Sequence, residues 1–214
     1  MILQGNSVVV ATHNPGKVKE FTALFKPLHK EVLSLLDFPN LAEVEEDGNT
    51  FIENAVKKAK TIALQLNIPV LADDSGLCVN ALNGAPGIYS ARYAGEPTNA
   101  AKNNQKLLDE LLLRAAAGYK PQLDGFMLNR GLLSAAQFVC ALVLFNPQTE
   151  QLISVQGECP GYIVNEPRGQ QGFGYDPLFY LPQYGRTMAE LSTEQKNEIS
   201  HRADAMKQLM NAFG

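Results

Sequence analysis

The sequence predicts an α/β protein, because short apolar runs typical of strands alternate with stretches of helical periodicity. Residues 7–11 form a short β-branched run, and residues 137–145 are almost continuously apolar, as in a strand buried on both faces. The clearest helix covers residues 50–67, where apolar side chains lie on one stripe. A chain of 214 residues has room for one large domain or for two small lobes around a cleft.

Composition and charge argue against several classes of function. The net charge of -4 argues against a non-specific nucleic-acid binder, but leaves room for a local positive pocket that binds a small anion. The three cysteines lack metal-ligand spacing; Cys78 and Cys140 lie in apolar runs and are predicted to be buried, so we expect a reducing, cytoplasmic location. We expect no signal peptide and no membrane partner, because residues 1–5 lack a charged region and no apolar stretch reaches membrane-spanning length.

A polar loop, residues 12–17, follows the first predicted strand and leads into a helical pattern that starts at Val18. The start of a helix after a strand commonly binds phosphate, because free N–H groups and the helix dipole point outward there. Thr12 and Asn14 would add neutral donors, and Lys17 would add a positive charge. The alternative is an ordinary strand-to-helix turn, which the loop taken alone slightly favours.

An apolar run that begins at residue 70 ends in Asp73, Asp74, Ser75 and Gly76. Two adjacent carboxylates at the end of a buried strand repel each other, so their ionised forms need compensation. A divalent cation is the usual compensation, and Mg²⁺ prefers such oxygen ligands. The alternative is a turn in which Gly76 takes a positive φ angle. These four residues taken alone leave the turn and the metal site equally open.

An acidic stretch, residues 43–47, and the polar face of the predicted helix supply further charged groups. The acidic stretch is typical of a solvated face, and the alternative is that one of its carboxylates reaches a metal. Thr50 and Glu53 have the spacing of a capping box at the helix start. We expect most polar residues off the apolar stripe to face solvent, with room for one lysine in a cleft. These residues are Glu53, Asn54, Lys57, Lys58 and Lys60.

A glycine-rich segment, residues 169–177, contains Phe173 between two glycines. Flanking glycines let the backbone approach a flat ligand closely, and an aromatic ring can stack on a base. The alternative, equally supported by the residues alone, is a tight loop whose Phe173 packs into the core. Elsewhere the periodicity predicts a long loop over residues 118–133 and separate strands over residues 151–157 and 161–164.

The C-terminal segment carries three basic residues, Lys196, His201 and Arg202. Their separations of five and six positions would not place all three on one face of an unbroken helix. Either the helix breaks near Ser200, or only some of the three reach one ligand. If Ser200 caps a new helix, His201 and Arg202 lie in its first turn, which suits an anionic partner. The alternative is three solvent-exposed side chains.

Six short motifs occur in order at residues 12–17, 51–55, 72–77, 84–92, 172–177 and 199–202. Together they resemble the inosine/xanthosine triphosphate pyrophosphatases, which remove non-standard purines from the nucleotide pool. Each motif is weak alone, but the ordered set is specific, and the resemblance covers nearly the whole chain. The departure is residues 118–137, which are longer than the connection usual in that family and lack its basic residues before Phe138.

This resemblance implies an elongated, two-lobed α/β fold, with a central mixed β-sheet flanked by helices and a cleft between the lobes, in a single domain over residues 1–214. It also implies a homodimer and Mg²⁺-dependent hydrolysis of ITP, dITP or XTP to the monophosphate and pyrophosphate. Water would attack the α-phosphorus and pyrophosphate would leave, while Mg²⁺ neutralises the developing charge.

The resemblance further implies roles for individual residues. Asp74 would be the general base, and Glu46 and Asp74, with Asp73 beside them, would be the metal ligands. Phe173 would stack on the purine, and a donor aimed at the 6-keto oxygen would favour hypoxanthine and xanthine over adenine. The substrate-binding residues would be Thr12, His13, Asn14, Gly16, Lys17, Lys58, Ser75, Phe173, Gly174, Tyr175, Asp176, Lys196, His201 and Arg202.

Two other functions are alternatives to this one. The first is a pyrophosphatase that acts on other modified triphosphates, such as pyrimidines, and only the resemblance argues against it. The second is a purine-nucleotide-binding regulator that does not hydrolyse. Such a regulator would be expected to lack an acidic metal ligand, whereas Glu46, Asp73 and Asp74 are all present.

Overall fold

The structure, a computed structural model, describes residues 6–42, 44–120 and 131–212. The strands are β1 (Ser7–Val10), β2 (Glu31–Ser34), β3 (Val70–Val79), β4 (Leu132–Asn146), β5 (Gln151–Val164), β6 (Phe179–Leu181) and β7 (Arg186–Thr187). The α-helices are α1 (Pro15–Phe25), α2 (Phe51–Leu66), α3 (Ala100–Ala116), α4 (Thr193–Ile199) and α5 (His201–Asn211). None of the helices in these described stretches combines the length and apolarity that a membrane crossing requires.

The seven strands form one mixed sheet in the order β2-β1-β3-β4-β5-β6-β7. β1 pairs in parallel with β2 and with β3, whereas β6 pairs antiparallel with β5 and with β7. The predicted α/β class with a mixed sheet flanked by helices is therefore confirmed. The cleft and the single domain stay predictions.

The chain divides into two compact units. The first unit comprises Met1–Ser75, Cys140–Glu158 and Ser200–Gly214. The second unit comprises Gly76–Val139 and Cys159–Ile199. Each unit has apolar core residues of its own.

Strand β4 explains how the first unit is layered. Leu142 and Leu144 belong to an apolar cluster with side chains of α1 and α5, whereas Ala141 and Val143 belong to a second cluster with side chains of α2. Successive residues of a strand point to opposite faces, so this segment is covered on both sides. That double burial accounts for the nearly continuous apolar run and confirms the sequence prediction.

The second unit has a single apolar cluster among its described residues. Leu107 and Leu111 of α3 share it with Leu77, Phe138 and Phe179. The rings of Phe138 and Phe179 lie 4.4 Å apart between centroids. This packing anchors α3, and Asn104 of α3 donates a hydrogen bond to the carbonyl of Gly174 in the glycine-rich loop.

Four predictions from the sequence need correction. β3 runs from Val70 to Val79, so residues 73–76 lie within this strand rather than at its end or in a turn. β4 already begins at Leu132, so the end of the predicted loop 118–133 is strand, while residues 121–130 lie outside the described residues. β5 is one strand rather than two, and it includes Pro160, a residue that lacks an N–H for the ladder. Cys140 is fully buried as predicted, but Cys78 is only half-buried.

The C-terminal helical segment breaks at Ser200. α4 ends at Ile199, and α5 begins at His201. The Ser200 hydroxyl oxygen caps α5 by accepting a hydrogen bond from the N–H of Ala203 at 3.2 Å. The structure thus selects the broken-helix alternative, and it places His201 and Arg202 in the first turn of α5.

Candidate active site

Polar residues of the first unit gather where two parallel strands run side by side. β1 and β3 pair with Val10 opposite Leu71, and the N–H of Ala11 donates to the carbonyl of Leu71 at 2.8 Å. The chain then continues from β1 into the loop that starts at Thr12, while β3 continues to Asp73. The parallel register therefore brings this loop and the aspartate pair together.

Asp73 is completely buried and contacts two cations. Its Oδ1 lies 2.5 Å from Nζ of Lys17, and its Oδ2 accepts a hydrogen bond from Nε of Arg202 at 3.2 Å. The Cys140 thiol also donates to Oδ2, at 3.6 Å. Burial alone would raise the pKa of this carboxyl, but Lys17, Arg202 and Lys58 hold the pKa well below its usual range. Asp73 is therefore a permanent negative charge at neutral pH.

Arg202 is the centre of a buried ionic network. Its Nη1 donates to Oε2 of Glu20 and its Nη2 donates to Oγ of Ser75, both at 2.7 Å. Burial acts to lower the pKa of the guanidinium, yet the charges of Asp73 and Glu20 raise it above its ordinary value. Three of its nitrogen atoms thus bind side chains of the first unit, and the contact of Arg202 with the nucleotide stays a prediction.

Glu20 is a residue that the sequence analysis missed. It lies on α1 with only 6% of its surface exposed, and it pairs with Arg202. A signal was available, because Glu20 follows Lys17 by three positions and such residues share a helix face. An acidic residue on the face of the predicted phosphate-binding lysine needs a cationic partner when it is buried.

Asp74 has a different environment from its neighbour. Its Oδ2 accepts a hydrogen bond from Nδ2 of Asn54, and its Oδ1 accepts one from the N–H of Ser75, each at 3.0 Å. Burial raises the pKa of the Asp74 carboxyl, and Glu46 reinforces the increase, although Lys58 opposes it. A carboxylate with a raised pKa is a better proton acceptor, which suits the predicted general base.

Lys58 is the lysine of α2 that turns inward, as the sequence analysis allowed for one of the three. Its Nζ donates to Oε1 of Glu46 at 2.9 Å and to the carbonyl of Asp73 at 2.7 Å. Burial alone would lower the pKa of the ammonium, but Glu46, Asp74 and Asp73 together raise it. Asn54 is an exception to the expectation that most polar residues off the apolar stripe face solvent, because it is 1% exposed and donates a hydrogen bond to Asp74.

The loop before α1 forms a strand-to-helix turn, which was the alternative to a phosphate site for residues 12–17. Asn14 caps the helix, since its Oδ1 accepts hydrogen bonds from the N–H groups of Gly16 at 2.8 Å and Lys17 at 3.2 Å. Thr12 in turn accepts a hydrogen bond from the N–H of Asn14 at 3.1 Å, and His13 is exposed. The cap fixes Lys17 in the first turn, and the binding of phosphate by this loop stays a prediction.

The glycine-rich loop belongs to the second unit and is held by a buried ion pair. Oδ2 of Asp176 accepts a hydrogen bond from the N–H of Phe173 at 2.9 Å and one from Nζ of Lys196 at 2.5 Å. That Nζ also lies 4.8 Å from the ring centroid of Phe173, within cation–π range. At Gly172 a Cβ atom would lie 2.0 Å from Oδ2 of Asp176, so only glycine fits this turn.

Two neighbours fix the following part of this loop. The buried Tyr175 hydroxyl donates to the carbonyl of Ser90 at 2.9 Å, and burial raises its pKa. Nδ2 of Asn104 on α3 donates to the carbonyl of Gly174 at 3.1 Å. Phe173 itself is half-buried and is not a member of the described core cluster of the second unit. The ring therefore lies outside that core cluster, and its stacking on a base stays a prediction.

The predicted site residues therefore fall into two sets, one in each unit. The first unit contains Thr12, His13, Asn14, Gly16, Lys17, Glu46, Lys58, Asp73, Asp74, Ser75, His201 and Arg202, and the second contains Phe173, Gly174, Tyr175, Asp176 and Lys196. His201 is 4% exposed, so the alternative of solvent-exposed basic residues does not hold for it. Across the stretches that the structure describes, no group of three or more His, Cys, Asp or Glu side chains is arranged to hold a metal.

Comparisons with known proteins match this chain almost from end to end. The sequence pattern of the Ham1 family matches residues 8–212. The dITP/XTP pyrophosphatase of Geobacillus kaustophilus (strain HTA426) is 51% identical over 202 residues, which cover 94% of this chain and 91% of that protein. The dITP/XTP pyrophosphatase of Listeria monocytogenes (serovar 1/2a, strain ATCC BAA-679 / EGD-e) is 49% identical, with 95% and 93% covered.

Solved structures give the same result for the fold. The Ham1 protein of Coxiella burnetii superposes with a TM-score of 0.81 at 38% identity, covering 98% of both chains. The Staphylococcus aureus Ham1 protein superposes with a TM-score of 0.76 at 41% identity, covering 97% of both chains. With its sequence pattern, its near-full-length relatives and its fold all in agreement, this chain belongs to the Ham1 family.

Proposed function

We propose that this chain hydrolyses non-standard purine nucleoside triphosphates, namely ITP, dITP and XTP, to the monophosphate and pyrophosphate. The observation that carries the proposal is the 51% identity, over 94% of the chain, to a protein named dITP/XTP pyrophosphatase. The electrostatics of the site supports it, because cations lower the pKa of Asp73 whereas burial raises the pKa of its neighbour Asp74. Such divergence is typical of sites in which one carboxylate moves a proton and its neighbour stays charged.

In this proposal Asp74 accepts the proton of the water that attacks the α-phosphorus. Burial raises its pKa, which makes it a stronger base than an ordinary aspartate before Mg²⁺ is bound. Hydrogen bonds from Asn54 and from the N–H of Ser75 hold the carboxylate in one orientation. Lys17, whose side chain is 15% exposed, and Lys58 supply positive charge for the phosphates. Thr12, Asn14 and Ser75 are the other proposed phosphate contacts, and His13 and Gly16 are further proposed substrate contacts.

The donor set near Asp74 suits Mg²⁺, which in nucleotide sites usually takes one or two carboxylates besides phosphate and water. Glu46 and Asp74 would hold the ion, because Glu46 pairs with Lys58 at 2.9 Å, the charge of Asp74 raises the pKa of the same lysine, and the Glu46 side chain is 30% exposed. When bound, Mg²⁺ supplies charge neutralisation for the triphosphate. Asp73 was the third predicted ligand, but both its oxygens already contact cations, so we propose that it orders Lys17 and Arg202 instead.

For the base we propose stacking on Phe173, with Gly174, Tyr175 and Asp176 as the rest of that wall. The Lys196 ammonium beside the ring favours a 6-keto oxygen over the 6-amino group of adenine. His201 and Arg202 stay proposed substrate contacts, although the described hydrogen bonds of Arg202 suggest that it acts through Ser75 and Asp73.

We also propose that the protein works as a homodimer in the cytoplasm. Cys78, Cys140 and Cys159 are not joined by a disulfide, which is compatible with a reducing compartment. The dimer rests on the family resemblance, and sedimentation of the purified protein tests it.

The test of this function is pyrophosphate release from ITP, XTP, dITP, ATP and GTP, each with Mg²⁺ and with a chelator. We expect rapid, Mg²⁺-dependent release from the first three substrates. Release from modified pyrimidine triphosphates alone would move the assignment to other substrates. Binding without release from any nucleotide would instead indicate a regulator that does not hydrolyse.

A further inference from the structure

Asn54 lies near the start of α2 and is 1% exposed, although it is a polar residue outside the apolar stripe of that helix. Its side-chain amide makes two hydrogen bonds in opposite senses. Oδ1 accepts from the N–H of Gly48 at 2.7 Å, and Nδ2 donates to Oδ2 of Asp74 at 3.0 Å. One buried amide thus joins the loop that carries Glu46 to the carboxylate of Asp74.

We propose that Asn54 is a positioning residue for the reaction, which sets the orientation of the Asp74 carboxylate relative to the loop of Glu46. The proposal rests on the function proposed above, because it concerns the group assigned as the general base. Asn54 contacts neither water nor phosphate in this account and acts through Asp74.

The orientation of the amide follows from its partners. A backbone N–H can only donate, so the oxygen of Asn54 must face Gly48. The NH₂ group must then face Asp74, whose ionised carboxylate can only accept. The two contacts therefore define one amide orientation, and a flipped amide would place donor against donor and acceptor against acceptor.

The loop around Gly48 is built to reach this amide. A Cβ atom at Gly48 would lie 2.7 Å from Oδ1 of Asn54 and 2.8 Å from Cβ of Glu53, so a side chain would push the loop away. The N–H of Asn49 donates to Oε2 of Glu53 at 2.7 Å, and the Thr50 hydroxyl caps the helix by accepting from the N–H of Glu53 at 3.1 Å. Gly48, Asn49 and Thr50 are thus each tied to the first residues of α2.

Asp74 accepts a second hydrogen bond, from Ser75, and the two bonds together fix the orientation of its carboxylate. The N–H of Ser75 holds Oδ1 of Asp74 while Asn54 holds Oδ2, so donors from two different elements fix the plane of the carboxylate. Rotation of that plane would break both bonds. The remaining lone pairs then point in a constant direction, which is what a general base needs, since a displacement of about 1 Å can cost about a hundredfold in rate.

Two variants separate the two bonds of Asn54. Asn54→Asp keeps an oxygen for the N–H of Gly48 but replaces the donor toward Asp74 with an acceptor, and Asn54→Ala removes both bonds. We expect kcat for ITP to fall about a hundredfold in Asn54→Asp, with KM changed by less than about threefold. A folded Asn54→Asp protein with kcat within about threefold of wild type would overturn the proposal.

A second readout needs no substrate. We expect the urea midpoints of Asn54→Ala, Asp74→Ala and the double variant to be non-additive, because the single changes remove the same contact. Additive shifts would show that Asn54 stabilises only the loop around Gly48, and would also overturn the proposal. If the wild-type protein hydrolyses no nucleotide, the proposed function fails, while this cycle still tests the contact.

The matched control is Ser134→Ala in the second unit. Ser134 is also completely buried, and its hydroxyl accepts from the N–H of Ala81 at 3.0 Å and donates to the carbonyl of Ala135 at 2.7 Å. We expect this variant to lower the urea midpoint additively with Asp74→Ala, and to leave kcat within about threefold of wild type.

Discussion

The polar groups of the two units are built in different ways. In the first unit, Glu20, Asp73 and Arg202 form a buried ionic network beside Asp74. In the second unit, one ion pair between Asp176 and Lys196 supports a loop whose shape depends on glycine. The first arrangement shifts pKa values, and the second presents a half-buried aromatic ring.

This difference suggests a division of labour between chemistry and recognition. Asp73 and Asp74 are neighbours in the chain, yet cations lower the pKa of the first while burial raises that of the second. Changes in the first unit should therefore alter kcat or the free energy of unfolding. Changes at the loop of Phe173 should alter KM for the purine.

The substitution expected to have the largest effect is Asp74→Asn, in the first unit. We expect kcat for ITP to fall about a thousandfold, because an amide cannot accept the proton of the attacking water. Nucleotide binding should be partly retained, which pyrophosphate release and equilibrium binding measure together. The control is Asp109→Asn, since Asp109 is exposed on α3 and bonds Gln105. Near-normal turnover in Asp74→Asn would remove the role of general base from Asp74.

The next largest effect should come from the ionic network, as a decrease in the free energy of unfolding. Glu20→Ala leaves the buried Arg202 short of one anion, and we expect the free energy of unfolding to fall by about 3 kcal/mol. Glu166→Ala, which breaks an exposed pair with Arg168, should cost less than about 1 kcal/mol. Urea unfolding of both variants checks this. Equal losses would mean that burial does not distinguish the network from a surface pair.

Phe173→Ala should raise KM for every purine triphosphate about tenfold, because stacking contributes about 1–3 kcal/mol per base. Turnover at saturation should change much less, since the ring takes no part in proton transfer. Phe173→Tyr keeps the ring and serves as the control. Steady-state kinetics with ITP and XTP measures the effect, and an unchanged KM in Phe173→Ala would remove the ring from the base site.

The smallest expected effect is a change in the pH dependence of stability. The native pKa of Asp73 is lowered despite its burial, because Lys17, Arg202 and Lys58 favour the charged form. Asp73 therefore contributes stability above its unfolded pKa of about 3.9, and that contribution is lost as the pH falls below this value. The urea midpoint of Asp73→Asn should fall less steeply with acidification than that of wild type. Parallel pH profiles would contradict this account.

The sequence predicted the elements better than the side-chain contacts. The continuous apolar run identified β4, because burial on both faces demands apolar residues at successive positions. Only the structure showed that the helix breaks at Ser200, because residue spacing alone allowed either a broken or an unbroken helix. Periodicity could not find the single strand β5 through Pro160 either, since that pairing depends on neighbouring strands.

The residues that were missed or misplaced share one cause. Asn54 and Glu20 are polar residues on amphipathic helices, and helical periodicity assigns such residues to solvent. Their burial depends on contacts far along the chain, with Asp74 for Asn54 and with Arg202 for Glu20. The motifs predicted the candidate site, but only the fold showed these partners.

The most direct test of the central claim is hydrolysis of ITP in water enriched in ¹⁸O, with Mg²⁺ and with the wild-type protein. Attack of water on the α-phosphorus predicts that the label appears in the monophosphate and that the pyrophosphate carries none. Label in the pyrophosphate, or release of single phosphates, would mean attack at another phosphorus. That result would contradict the role proposed for the Asp74 site.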